Sequence, residues 1–169
     1  MKSHKHSSSF SAAVALCATL CLCLLGCGGK KNPDGMPPLV PCEITIQQEG
    51  QPLVGANVSI LPMAGDEKWS AVGRTDEKGT AVLHTWGQYA GAAEGKYKVT
   101  VSKTEVESVV PPDATSEERA KLPPDKTFVC VEAIYSDAAK TPLEIELNKG
   151  TKSFTLDAGK KVRTLDTRY

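Results

Sequence analysis

Cysteine is the residue type whose spacing in this sequence most clearly suggests chemistry. The 169-residue chain contains six cysteines, and Cys27 stands at an abrupt change of composition. An uncharged, apolar run over 10–25 precedes it, and the sequence GGKKNPDG follows it. A thiol at such a boundary can form a thioether with a diacylglyceryl group, and cleavage before it frees an amine for further acylation. Because each buried acyl CH₂ contributes about 0.8 kcal/mol, two or three acyl chains hold a soluble domain on a bilayer.

The residues before Cys27 have the layout of a bacterial secretory signal. Two lysines precede the apolar run, which is shorter than the roughly 20 residues of a membrane-spanning helix. Leu24 and Gly26 resemble the aliphatic and small residues of a bacterial lipobox. We therefore predict a lipoprotein signal peptide over 1–26, lipidation of Cys27 and a flexible tether over 27–40. An uncleaved signal anchor with an incidental cysteine is the alternative, and either arrangement exports the domain.

The charge balance argues against a nucleic-acid-binding protein. The chain has 20 basic and 20 acidic side chains, which leaves no large positive excess. Nucleic-acid binding requires a concentrated basic surface. The segment over 27–169 has the size of one domain. Its basic C-terminal tail, GKKVRTLDTRY over 159–169, is expected to be either a frayed, solvated end or a partner-binding tail.

Short alternating runs between turn residues predict the fold beyond the tether. Apolar side chains recur at every second position in CEITIQQ, ANVSILP, KYKVTVSK, PLEIELNKG and KSFTLDAG, which is typical of strands with one buried face. The segment SAVGRTDEKGTAVLHT is predicted to form a hairpin, in which Asp76 bonds the turn backbone and Gly79 adopts positive φ. These runs predict an all-β sandwich of about seven strands over 41–158.

One segment breaks the β pattern. In PPDATSEERAKLPP, Thr115 is followed three residues later by Glu118, which is the spacing of a capping box. We expect a short helix over 116–122, ended by the two prolines that follow. The helix is either a projecting contact element or a solvated connection between two strands.

The chain resembles the carboxypeptidase regulatory-like domain of small bacterial envelope lipoproteins. The resemblance covers about 40–158 and rests on EGQPLVGANVSILP, GRTDEKGTAVLHT, GAAEGKYKVTVSK, IYSDAAKTPLEIEL and SFTLD. It implies an immunoglobulin-like, transthyretin-like antiparallel β-sandwich that serves as a non-catalytic accessory or display module. The run FVCVEAI departs from the family pattern, so an additional strand over 128–133 stays an open question.

The segment HTWGQYAG contains the residues best suited to contact a ligand. His84 and Trp86 are predicted to share the strand face opposite Leu83, and Tyr89 follows in a glycine-containing loop. Aromatic faces beside polar groups can stack on sugar rings, and an exposed apolar patch indicates a contact surface. The alternative is that Trp86 folds over one end of the sandwich and covers its core, and Trp69 has the same two options.

No catalytic or metal site is predicted. After position 27 the chain has a single histidine, His84, whereas zinc sites need three or four N, S or O ligands, and neither Cys42 nor Cys130 has a ligand at close spacing. No Gly-x-Ser-x-Gly motif and no cysteine with an adjacent base is present. We expect no enzyme activity and no cofactor.

Two cysteines remain after Cys27 is acylated. Outside the cytoplasm thiols tend to be oxidised, so Cys42 and Cys130 are candidates for a disulfide that joins the FVCVEAI segment to the first strand. A bridge requires Cα atoms within about 7 Å. Otherwise the two residues act as small buried hydrophobic side chains.

The sequence therefore favours a non-catalytic lipoprotein of the bacterial cell envelope, on the periplasmic or extracellular side. The membrane is contacted through the lipid anchor, and the expected partner is a protein or an envelope polysaccharide, with no nucleic acid. A carbohydrate-binding module that uses the aromatic residues around Trp86 is the alternative function.

Overall fold

The alternating runs form strands in the computed structural model, which describes residues 33–63 and 69–167. The predicted signal peptide over 1–26 and Cys27 lie outside the described residues. Residues 33–169 form one compact unit. The fold is mostly β, as predicted, and its described strands and helices run in the following order. They are β1 (Leu39–Val40), β2 (Glu43–Gln48), β3 (Gln51–Pro52), β4 (Asn57–Pro62), β5 (Ala71–Arg74), β6 (Thr80–Val82), β7 (His84–Thr85), β8 (Tyr89–Ala90), β9 (Ala92–Ala93), β10 (Gly95–Ser102), β11 (Thr104–Glu107), α1 (Ser116–Lys121), β12 (Lys126–Val129), α2 (Ala133–Ser136), β13 (Glu144–Leu147), β14 (Ser153–Asp157) and β15 (Thr164–Leu165).

The larger sheet is organised around β10. Its strand order is β13-β10-β4-β5-β7-β8, and all of its pairs are antiparallel. Within β10, Tyr97, Val99 and Val101 alternate with more exposed residues and are almost completely buried. This period-2 pattern is the one that the sequence predicted, because successive side chains of a strand point to opposite faces.

The smaller sheet contains β14, β2 and β3, and β6 also pairs with β2. The sequence resemblance implied an antiparallel sandwich, but β14 is parallel to β2, with Ser153 opposite Glu43. A parallel pair needs a crossover connection rather than a hairpin. Here the rest of the domain supplies that crossover.

The core lies between these two sheets. Its largest fully buried aliphatic side chains are Ile44, Ile46, Val58, Ile60, Leu83, Val99, Val101, Val131 and Leu147. Phe154 and Leu156 of β14 pack against this cluster and are partly buried. The buried hydroxyl of Thr141 donates to the Val99 carbonyl at 2.7 Å, so this polar group keeps a hydrogen bond inside the core.

The chain passes from one sheet to the other at Leu83. Strand β6 belongs to the smaller sheet and β7 to the larger one. Ala81, Leu83 and Thr85 are buried, whereas Val82, His84 and Trp86 face outward, as the sequence predicted.

Two small sheets were not predicted, and both revise the predicted boundaries. Strand β1 pairs with β9, so regular structure begins at Leu39, inside the predicted tether over 27–40. Strands β11, β12 and β15 form a three-stranded sheet, so Thr164–Leu165 of the basic tail is paired rather than frayed. These strands are short and lack a repeated apolar alternation. The periodicity of the sequence therefore does not reveal them.

The helix prediction is confirmed within one residue. Helix α1 has Thr115 as its N-cap, and the side chains of Thr115 and Glu118 each accept from the other's backbone N–H. None of its residues is buried. The helix therefore belongs to an exposed connection between β11 and β12.

The two small sheets mark opposite ends of the sandwich. The end that contains β1, β9 and Gly95 is called the entry end, and the end that contains Lys103 and the β11-β12-β15 sheet is called the distal end. Strand β10 runs from Gly95 to Ser102, and its eight residues span about 26 Å.

The turn at Asp76 gives a direct test of the fold. Asp76 Oδ1 accepts from the amides of Lys78 and Thr80, both at 2.9 Å, and the backbone amide of Thr80 is the main reason that the Asp76 pKa is lowered. Gly79 has φ +76°, and a Cβ there would lie 2.7 Å from the Ile46 carbonyl oxygen. Gly79 is thus required both by its backbone angle and by this close approach.

We expect Gly79→Val to lower the free energy of unfolding by more than about 2 kcal/mol, because a left-handed backbone and a backbone clash both oppose valine. Gly50 is the matched control, since it has φ +74° with no atom within 4 Å of an added Cβ. Gly50→Val should lose only the cost of the backbone angle, about 1–2 kcal/mol. Urea unfolding of both variants measures the difference, and equal losses would contradict the close approach at Gly79.

Candidate functional site

The turn between β7 and β8 places a tryptophan at the tip of a hairpin. The amide of Gln88 donates to the Thr85 carbonyl at 3.1 Å, which closes a two-residue turn formed by Trp86 and Gly87. Both central residues have positive φ, +54° and +68°. Two positive φ values are the type I′ pattern, which normally carries Asn-Gly. A bulky residue in this conformation is an outlier and costs of order 1–3 kcal/mol, and such outliers cluster at functional sites.

Three rings meet at this hairpin and form what is here called the aromatic cluster, Trp69, Trp86 and Tyr89. The rings of Trp69 and Trp86 stack with centroids 5.2 Å apart and planes at 21°. Tyr89 meets Trp86 edge-on, at 6.1 Å and 73°. Trp86 is 45% exposed, and it is not among the partly buried hydrophobic side chains that pack against the core.

The structure brings together the residues that the sequence proposed for ligand contact. His84 lies on the same outer face as Trp86, and it is paired with Val72, which is 42% exposed. His84 Nδ1 lies 3.2 Å from the Val82 carbonyl oxygen. Trp69 also belongs to the cluster. It is distant from Trp86 in sequence, and its aromatic side chain was the only feature of the sequence that suggested this role.

A cavity of ≈ 330 Å³ adjoins the aromatic cluster at the entry end. It is lined by Trp69 and Tyr97 together with Gly35, Pro37, Pro62, Ala93, Glu94, Gly95 and Lys96. Two of its charged residues have partners on neighbouring segments: Glu94 Oε1 accepts from the Lys149 amide at 2.9 Å, and Lys96 lies 3.8 Å from Glu146. Because Gly35 and Pro37 line the same cavity as Trp69, the segment over 33–38, which leads into β1, lies beside the aromatic cluster.

The predicted disulfide is wrong in this structure, where Cys42 and Cys130 are buried free thiols. Cys42 immediately precedes β2, whereas the Cys130 carbonyl accepts from the Gln48 side chain at the other end of that strand. Six residues of strand span about 20 Å, far beyond the roughly 7 Å limit for a bridge. The two cysteines thus belong to opposite ends of the sandwich and pack as small apolar side chains.

Burial also suppresses the reactivity of both thiols. Burial, followed by the charge of Glu43, raises the pKa of Cys42 to about 11. Burial and then Glu105 raise the pKa of Cys130. Since the thiolate is the nucleophile, neither residue is activated for covalent chemistry.

The distal end has a different, polar cluster centred on Arg163. Its guanidinium carbon lies 3.5 Å from the centroid of the Phe128 ring. The same group contacts Glu107 at 2.9 Å and Glu105 at 3.8 Å. A hydrogen bond from Lys103 is the main cause of the lowered Glu105 pKa, with Arg163 contributing. These contacts hold the C-terminal segment on β11 and β12, and sequence analysis had counted Arg163 only as one charge of a tail.

Within 33–63 and 69–167, no group of three or more His, Cys, Asp or Glu side chains is arranged to hold a metal ion. Over the same ranges, no helix is long and apolar enough to cross a membrane.

Comparisons with known proteins give little further guidance. No protein-family model and no curated protein matches the chain. A solved structure from Bacteroides ovatus, described as a "putative adhesin", is 13% identical with a TM-score of 0.35. The match covers 81% of this chain and 50% of that one, so this chain spans half of the neighbour's length. A likeness this weak carries no argument about function.

The state of the cysteines can be measured directly. We expect native, unreduced protein to show slow alkylation at Cys42 and Cys130, because burial protects both thiols and raises their pKa. After unfolding in denaturant without reductant, both should be alkylated rapidly. Intact mass before and after unfolding gives the count, and a pair that reacts only after reduction would contradict the separation described above.

Trp86 should contribute little to stability despite its ring contacts. In Trp86→Asn the lost stacking, about 0.5–1.5 kcal/mol, is offset by relief of the backbone strain, because asparagine tolerates positive φ. Trp69→Asn is the matched control, since it loses the same stack from a residue that is not among those with positive φ. We expect Trp69→Asn to melt at a lower temperature than Trp86→Asn, and equal melting temperatures would refute strain at Trp86.

Proposed function

We propose that this protein is an exported, non-catalytic envelope lipoprotein that is held on the membrane through Cys27 and presents the distal end of its β-sandwich to a protein partner. The observation that carries the proposal is that the entry point of the chain and its projecting elements lie at opposite ends of the sandwich. The chain enters at β1, and the elements that extend beyond the sandwich lie at the other end of β10. This arrangement suits a display module of the carboxypeptidase regulatory-like type, which the sequence motifs resemble.

The lipid attachment rests on the residues around Cys27. An apolar run preceded by lysines directs export, and the Leu-Leu-Gly-Cys sequence presents the thiol for acylation. The described structure begins at Pro33, and β1 fixes the entry point of the chain by pairing Leu39 with Ala93. An attachment at Cys27 therefore leaves the sandwich intact and outside the hydrocarbon core of the bilayer.

The distal end has the properties of a contact surface. Its exposed apolar side chains include Val106, Val109 and Leu165, of which Val106 is 63% exposed. Helix α1 buries none of its residues, so it adds surface rather than core. Local bonds keep this surface ordered, among them Ser108 Oγ to Asp125 at 2.8 Å and Arg163 to Glu107. Apolar side chains ringed by polar ones are typical of protein interfaces.

The carbohydrate alternative has weaker support from the geometry. A sugar-binding platform formed by Trp86 and Tyr89 would need rings in a shared plane, and their planes differ by 73°. One face of Trp86 is covered by Trp69. The aromatic cluster also lies at the entry end, where the chain leads toward the proposed lipid attachment.

We expect Cys27→Ser to move the protein from the detergent phase to the aqueous phase of a Triton X-114 extract, with an unchanged melting temperature. The sandwich should stay folded because its first strand begins well after residue 27. Intact mass of the wild-type protein should show an acylated N-terminal cysteine. An unacylated mature N-terminus would end the lipoprotein proposal.

Presentation of the distal end is tested separately, with a photo-crosslinking amino acid at the position of Val106. Val82 is the matched control, because it is also an exposed valine but lies on β6. In native envelopes we expect a discrete protein adduct from position 106 and none from position 82. Adducts from position 82 alone would contradict contact through the distal end.

A further inference from the structure

We propose that the aromatic cluster of Trp69, Trp86 and Tyr89 is a membrane-contact site, which rests in the headgroup region of the bilayer when Cys27 is acylated. The inference builds on the proposed function, since it assumes lipid attached at Cys27. It assigns a role to the entry end, which the proposed function leaves without one.

The length of chain between the lipid and the cluster restricts where the cluster can be. Gly35 and Pro37 line the cavity that Trp69 also lines. Gly35 is eight residues from Cys27, and eight fully extended residues span at most roughly 27 Å. Gly35 is thus never more than roughly 27 Å from the lipid attachment, which allows the neighbouring cluster to reach the membrane surface.

The fold also determines which end faces the bilayer. Pairing of Leu39 with Ala93 holds the incoming chain against β9. The distal end lies about 26 Å farther along β10. Lipid attached at Cys27 therefore brings the entry end to the bilayer more readily than the distal end.

The chemistry of the cluster suits the membrane interface. Tryptophan and tyrosine concentrate at the headgroup level, because their rings are apolar and their N–H and O–H groups are polar. Trp86 is 45% exposed at a hairpin tip, and Val72 beside it is 42% exposed. The strained backbone of Trp86 places a large ring where asparagine would fit better. An exposed ring kept at such a cost indicates a surface that binds something, and the lipid bilayer is the surface that the chain length brings to it.

Tryptophan fluorescence reports on this site alone, because Trp69 and Trp86 are the two tryptophans of the chain. The experiment uses lipidated protein in phosphatidylcholine vesicles, with and without bromine on the acyl chains near the headgroup. We expect bromine to cause a clear loss of tryptophan emission, because tryptophan rings at the interface lie at the headgroup level. Emission that is unchanged by bromolipid, with unchanged quenching by aqueous acrylamide, would overturn the proposal.

The matched control moves the fluorophore to the other end of the molecule. A lipidated variant with Trp69→Phe, Trp86→Phe and Val106→Trp carries its tryptophan at the distal end. Its emission should be insensitive to bromolipid, and equal quenching at both ends would overturn the orientation. Loss of acrylamide access at Trp69 and Trp86 on addition of envelope polysaccharide, without any effect of bromolipid, would assign the cluster to a carbohydrate instead.

Failure of lipidation and failure of membrane contact can be told apart. Intact mass shows first whether Cys27 is acylated. If it is not, a maleimide phospholipid coupled to Cys27 of the chain over 27–169 replaces the natural lipid, since Cys42 and Cys130 are buried and 33–169 is a compact unit by itself. Quenching in that preparation supports contact by the cluster, and its absence overturns it.

Discussion

The pairing of β10 with β4 on one side and β13 on the other is the interaction on which the rest of the structure depends. Its inward residues, Tyr97, Val99 and Val101, occupy the centre of the core. Each fully buried aliphatic side chain contributes roughly 1.5–3 kcal/mol, so this strand gives the sandwich much of its stability. Its length also sets the distance between the two ends of the molecule, and the functional proposals depend on that distance.

The central strands could be predicted from sequence, and the small sheets could not. Where apolar residues alternate over several positions, as from Tyr97 to Val101, a strand buries all of them on one face. The structure confirms the predicted strand there. The turn at Gly79 and the capping box at Thr115 were equally predictable, because each depends on residues a few positions apart. Strands of two residues, such as β1 and β15, are determined by partners that are distant in sequence.

The candidate sites show the same division between local and distant information. The outward direction of His84 and Trp86 follows from strand alternation, and it was predicted. The stacking of Trp69 on Trp86 was not, because it depends on how β5 and β7 are registered. The proposed disulfide was wrong for a related reason. Oxidising surroundings make a bridge between Cys42 and Cys130 favourable only if the fold brings them together, and β2 keeps them apart.

The parallel pairing of β14 with β2 has a consequence for the order in which this chain acquires its structure. Ser153 lies opposite Glu43, so the first long strand gains this neighbour only after the roughly 110 residues that separate them have been made. Contacts between such distant residues carry a high loop-closure cost and form late in folding. Until β14 is available, one edge of β2 has no partner and the core is open on that side. A polypeptide with this topology therefore cannot close its core until β14 has been made and has paired with β2.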